Sequence, residues 1–280
     1  MSLSFEPRIV VRPRSLDETV DLTVAYLREH LRDFAPAFFW VTLFSLLPPL
    51  LGRSLFDLSL GQSAAMLLVS GATVERIVTQ YGSRHLFGTK TSFIAATLQT
   101  LRHLPSGLIT SSSANLPWIL IILDIDNDAD NDVLTMFGVL LGLVWPLMIA
   151  PHFYLRELSM LEHLSARESF KRSRFLIWIR FERIFAILPL TVLIRLATAM
   201  LAYSWVRFTT EFVLQFSYVS ERFLAVAFGA GWVIAGQFLA VFRLFDYVDA
   251  RTRREGWDIQ VRFDAIRQRE ENAQARRITV

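Results

Sequence analysis

Six apolar spans alternate with polar, arginine-rich segments between Phe34 and Arg243. Span one reads Phe34 to Gly52, with Pro36, Pro48 and Pro49 near its ends. Span two, about Leu55 to Val78, is weaker and carries Asp57, Gln62 and Ser70. Span three is about Leu104 to Leu123, and span four runs from near Val133 to Tyr154 with Pro146 and Pro151 as kink points. Spans five and six are about Ile184 to Trp205 and Phe223 to Leu244. Each is near the ~20 residues a helix needs to cross a ~30 Å hydrocarbon core. No run alternates with period two at this length, which excludes a closed barrel. The expected fold is an all-α integral membrane protein: a six-transmembrane-helix bundle with amphipathic helices on its cytoplasmic face. It divides into a cytoplasmic N-terminal segment (1–33), a membrane domain (34–244) and a cytoplasmic tail (245–280).

Charge sets the orientation. Counted by segment, arginine and lysine alternate between rich and poor links, and 25 of the 29 fall on one side. The link between spans three and four has none and holds five aspartates instead. By the positive-inside rule both termini lie in the cytoplasm and the span count is even. Nothing at the N-terminus reads as a cleavable signal peptide, so span one is expected to act as an uncleaved anchor.

Two segments at the inner face share a design. Ser15 and Glu18 form a capping box, and Leu16, Val20, Leu27, Leu31 and Phe34 make a stripe at helical spacing opposite Asp17, Asp21, Arg28, Glu29 and Arg32. This helix is expected at headgroup level, leading into span one, with a docking face for another protein as the alternative. Ser165 and Glu168 repeat the box; Phe170, Phe175, Trp178 and Phe181 then offer an apolar side next to Arg167, Lys171, Arg172 and Arg174. Cations clustered beside a span attract anionic lipid at about 1 kcal/mol each. Thr91 to Arg102 reads as a shorter inner-face helix. In the tail, Trp257, Ile259, Val261 and Phe263 alternate with polar residues, as do Leu3, Phe5, Ile9 and Val11 near the start; the two are expected to pair as strands.

Composition changes this picture little. The chain has 280 residues, 53% hydrophobic, with 23 Phe and 7 Trp and a net charge of +3. Cysteine is absent, which removes disulfides, thiolate nucleophiles and Cys-based metal sites. None of the five histidines falls into HExxH or a comparable spacing, and there is no GxSxG, P-loop or GxGxxG. No cofactor is expected.

Three features are candidate sites. Arg195 lies near the middle of span five, where a charge costs about 2.5–3.5 kcal/mol on insertion scales and therefore seeks a partner. Gln237 in span six, Gln62 in span two and the hydroxyls of Thr110 to Ser113 are the expected partners; a polar cavity with a substrate contact is the alternative. The loop Asp124, Asp126, Asp128, Asp130, Asp132 supplies hard oxygen ligands. An EF-hand fails there, because Ala129 and Thr135 stand where Gly and Glu belong. The loop reads as a solvated external acidic turn, with a looser calcium site as the alternative. Finally, Ala227, Gly231 and Ala235 recur at every fourth position of span six, a small-residue face for close helix contact.

Three stretches carry a resemblance: Arg12-Pro-Arg-Ser-Leu-Asp-Glu-Thr-Val-Asp-Leu before the first span, Ala166-Arg-Glu-Ser-Phe-Lys-Arg-Ser-Arg-Phe-Leu between spans four and five, and Asp249-Ala-Arg-Thr-Arg-Arg-Glu-Gly-Trp-Asp after the last. Their order resembles a broad group of uncharacterised bacterial polytopic membrane proteins. Some of these are labelled as similar to the membrane domain of glycerophosphodiester phosphodiesterases. The resemblance implies six spans in a bacterial inner membrane and carries over no catalytic residue. The expected function is a non-catalytic scaffold or accessory subunit of a membrane complex. It would contact anionic lipid and protein partners, and not nucleic acid, through Arg167, Lys171, Arg172, Arg174, Arg251, Arg253 and Arg254. A transporter or lipid-handling protein with a polar cavity at Arg195 is the alternative.

Overall fold

The computed structural model describes residues 12–87, 92–102, 119, 153–162, 164, 166–178, 181–215 and 220–256. Among them there are helices and no strand. The helices are α1 (Leu16–Glu29), α2 (Leu31–Phe56), α3 (Leu60–Leu86), α4 (Phe93–Arg102), α5 (Leu155–Leu161), α6 (Ala166–Ile177), α7 (Phe181–Phe208), which ends in a π-turn at Thr209–Val213, and α8 (Glu221–Glu255). Among the described residues three helical stretches are long and apolar enough to cross a membrane: Leu31–Phe56, Glu182–Val213 and Phe223–Glu255. They correspond to spans one, five and six and mark the chain as a membrane protein. The expected spans three and four lie outside the described residues, apart from a few positions. So do both tail segments expected to pair as strands.

Span two does form a helix, but in a later register. Asp57 adopts φ 48°, a left-handed conformation that closes α2. Ser59 then caps α3: its Oγ accepts from Gln62 N at 3.1 Å, and Gln62 Oε1 accepts from Ser59 N at 3.2 Å. The helix therefore starts at Leu60 and reaches Leu86, several residues past the expected end. That shift moves Glu75 and Arg76 from the margin of a span into a buried stretch.

The capping box predicted for α1 is present, with both of its hydrogen bonds at 3.2 Å. Most of the expected apolar stripe packs inward: Leu27 and Phe34 are buried and Leu16 and Val20 pack against the bundle core, while Leu31 is more than half exposed. Thr19, Thr23 and Tyr26 complete the buried face. The threonine hydroxyls return to the backbone carbonyls four residues earlier, at 2.7 Å each. Two polar side chains thereby become a compact surface on which α8 packs.

Helix α8 is the hub. Its Ala240, Val241, Leu244, Phe245 and Val248 join a core with Tyr26, Phe34, Val41, Ile77, Val78 and Leu86 from α1, α2 and α3. Its Leu239, Phe242, Tyr247 and Ala250 join a second core with Leu158, Leu176, Ile177, Ile184 and Ile187 from α5, α6 and α7. A helix apolar on both sides is buried on both. The helix runs unbroken past Leu244, and residues through Ala250 are buried within the bundle. Outward, α2 presents Phe39, Trp40, Leu47 and Leu51, and α7 presents Leu193, Met200, Leu201 and Trp205, all exposed. Contiguous apolar surface on this scale is a lipid-facing belt.

Candidate functional site: a ladder of buried ion pairs along α8

The partner of Arg195 is Glu75. Arg195 Nη2 donates to both carboxylate oxygens of Glu75, at 2.9 and 3.1 Å, linking α7 to α3. Arg195 also lies over the Trp232 ring, 5.4 Å from its centroid. Arg156, just inside α5, also donates to Glu75 Oε2, at 3.3 Å. Neither glutamine expected beside Arg195 is there. Gln62 is exposed and spends its amide on the α3 cap. Gln237 is fully buried but donates to Thr42 Oγ1 at 2.7 Å, joining α8 to α2. Thr110 to Ser113 lie outside the described residues.

Glycine makes room for the pair. A Cβ on Gly236 would stand 1.9 Å from Glu75 Oε1 and 3.1 Å from Arg195 Nη1. One turn and more earlier, a Cβ on Gly231 would stand 2.7 Å from the Thr198 carbonyl and 2.8 Å from Ala199 Cα. Gly231, in the small-residue face read from span six, brings the α7 backbone against α8. Gly236, outside that face, leaves the notch in which two charges meet.

From that notch the charges continue down α8 at Arg243, Asp246, Asp249 and Arg253. Steps of three and four residues keep them on neighbouring turns of one side. Arg243 Nη2 meets Glu157 at 3.2 Å and also bonds the Phe153 carbonyl. Asp246, fully buried, takes Arg183 at 2.7 Å and the Tyr154 hydroxyl at 2.5 Å. Asp249 takes Arg183 at 3.4 Å, Arg253 at 3.3 Å and the Arg14 backbone N–H at 2.6 Å. Burial, with the nearby Arg12 charge second, holds the Arg14 guanidinium below its ordinary pKa. A third cluster closes the end of the helix: Arg172 bonds Glu162 and Glu255 at 2.7 Å each, and Arg251 bonds Glu255 at 3.0 Å.

The seven cations named from sequence therefore separate into groups. Arg172, Arg251 and Arg253 sit in ion pairs. Arg167 is exposed on α6. Lys171, Arg174 and Arg254 line an open cavity of about 390 Å³ with Phe175 and Trp178, and Arg254 stacks 4.0 Å over the Phe175 ring. Among the described residues no acid lines this cavity. The acidic loop Asp124, Asp126, Asp128, Asp130, Asp132 lies outside the described residues.

No family model, curated protein or solved structure matches this chain.

Proposed function

We propose that the chain is a non-catalytic six-span protein of the bacterial inner membrane, a scaffold or accessory subunit whose cytoplasmic arginine-rich face holds an acidic partner and anionic lipid. The resemblance to uncharacterised six-span bacterial membrane proteins agrees with this reading. One observation carries it. Arg156, Arg183, Arg195 and Arg243 are each matched to a buried acid, whereas Lys171, Arg174 and Arg254 converge on a cavity whose lining, among the described residues, is cations and aromatic rings. Aromatic and guanidinium groups around a concave rim are the composition of an interface hot spot.

The test is purification of the intact protein in mild detergent, beside a variant carrying Lys171→Glu, Arg174→Glu and Arg254→Glu. The expected result is a complex larger than one chain whose partner is lost from the variant while the variant's own fold persists. Recovery of the wild type alone and monomeric would end the scaffold reading.

The second reading, a transporter, draws on the Glu75–Arg195 pair. Ionisable residues at membrane depth mark ion and substrate paths. Under this reading Arg195→Leu abolishes transport; under the first it alters stability alone.

A further inference from the structure

The junction of α1 and α2 brings together His30, Asp33 and His85. Their nearest ligand atoms all lie within 4.8 Å of one another. His85 Nε2 is 3.2 Å from Asp33 Oδ2, and His30 Nδ1 is 4.0 Å from the same oxygen. We propose that these three side chains form a binding site for a divalent first-row metal ion, with Zn²⁺ the best-suited occupant.

The arrangement follows from the fold. His30 is the single residue between α1 and α2, and Asp33 lies one turn on, so both face α3. His85 is in the last turn of α3. Two imidazoles and a carboxylate, with a fourth position left for water, form a donor set zinc accepts. Tetrahedral zinc with bonds of about 2.0–2.1 Å sets its ligands about 3.4 Å apart. The His85–Asp33 distance is near that already, and His30 closes the remainder by a small side-chain rotation. Asp33 is half exposed, which gives the ion an entry path, while both histidines are largely shielded.

A support for the ligand is also in place. The Tyr26 hydroxyl is 2.5 Å from His85 Nδ1. Without metal, Tyr26 O–H donates to Nδ1 and Nε2–H donates to Asp33. With metal, the tautomer reverses: Nε2 offers its lone pair to the ion, and Nδ1–H donates to the tyrosine oxygen. Metal-bound histidines ordinarily hold their other nitrogen this way. The ion would clasp the α1–α2 corner to the end of α3, across which Tyr26, Phe34 and His85 already pack edge to face.

The experiment uses the full-length, tag-free protein in detergent, stripped with chelator, loaded with Zn²⁺ and freed of excess by gel filtration. Elemental analysis is expected to find one zinc per chain. Co²⁺ in its place should show the strong visible absorption of a four-coordinate ion. His30→Ala and Asp33→Asn, both at partly solvated positions, should lose stoichiometric binding while circular dichroism stays that of the parent. Tyr26→Phe should weaken affinity about ten- to a hundredfold. Absence of retained zinc in the folded parent overturns the proposal. So does undiminished binding by both His30→Ala and Asp33→Asn, because the metal would then be held elsewhere.

Discussion

Helices α7 and α8 are close in hydropathy and opposite in role. The most apolar windows of their spans have mean hydropathies of 2.2 and 1.9, yet 17% of the first is buried against 56% of the second. Hydropathy reports that a helix enters lipid; it does not report what the helix faces. What separates the two is where glycine and charge fall. Helix α8 has Gly229, Gly231 and Gly236 facing its neighbours and a run of acids and arginines beneath them. Helix α7 shows lipid Leu193, Leu201 and Trp205 and contributes two charges to the bundle, Arg183 against α8 and Arg195 at the contact with α8 and α3.

The largest expected effect comes from removing the acid at that contact. Glu75→Leu leaves Arg195 and Arg156 without their shared carboxylate. Breaking a buried pair from one side costs about 3–5 kcal/mol. Thermal denaturation in detergent should register that loss, and the double variant Glu75→Leu with Arg195→Leu should recover much of it. A single variant as stable as the parent would mean that the notch is solvated and the pair incidental.

Next is the notch itself. Gly236→Ala places a methyl group into the Glu75 carboxylate, and overpacking of this kind costs about 1–3 kcal/mol. Leu201→Ala, on the outer side of α7 and 71% exposed, should fall within about 0.5 kcal/mol of the parent in the same assay. Equal losses at both sites would erase the distinction between the two helices.

How much of this was legible in the chain divides along the same line. The helices, the α1 capping box and the small-residue face of α8 come from local spacing, and local spacing is what a sequence displays. Glu75 carries no signal as a partner, because the Asp57 turn, which resets the register of α3, leaves no trace in hydropathy. Arg195 and Glu75 are 120 residues apart, so polarity alone made Gln62 and Gln237 look as suitable. The pattern Arg243, Asp246, Asp249, Arg253 was visible at helical steps. It passed as a soluble tail because apolar content falls there, although the bundle buries those turns through ion pairs instead of grease. For the triad, His30 and Asp33 stand three apart, but His85 is 52 residues beyond Asp33, and only packing unites them.

A smaller effect tests the lower ladder. Tyr154→Phe removes one hydrogen bond to the Asp246 carboxylate and leaves the Arg183 pair intact. A hydrogen bond to a charged group contributes about 1.5–3 kcal/mol, and the retained arginine places the expected loss at the low end. Asp246→Asn should cost more, since it removes the closer of the two carboxylates on Arg183 and leaves only the longer contact with Asp249. If Tyr154→Phe proves the costlier of the two, the Tyr154 hydroxyl contributes more at this site than the Asp246 charge.

The smallest effect concerns the far end of the hub, where α1 docks on α8 through Arg14. Glu18 accepts a hydrogen bond from the Ser15 backbone N–H at 3.2 Å, and this, with Arg12 contributing less, lowers its pKa. The unfolded carboxyl titrates near about 4.3, so the folded value lies beneath it. A depressed acid contributes stability that is full above the unfolded pKa and lost as pH falls through the folded one. The α1 cap should therefore persist at neutral pH and loosen only in acid. Carboxyl NMR of Glu18 in the intact protein should give a midpoint below that of a peptide covering residues 12–33. Ser15→Pro, which removes the backbone N–H that Glu18 accepts from, should narrow the gap between the two midpoints. A midpoint in the intact protein at or above the peptide's would mean that α1 begins later, and that Asp249 reaches Arg14 without a fixed cap to position it.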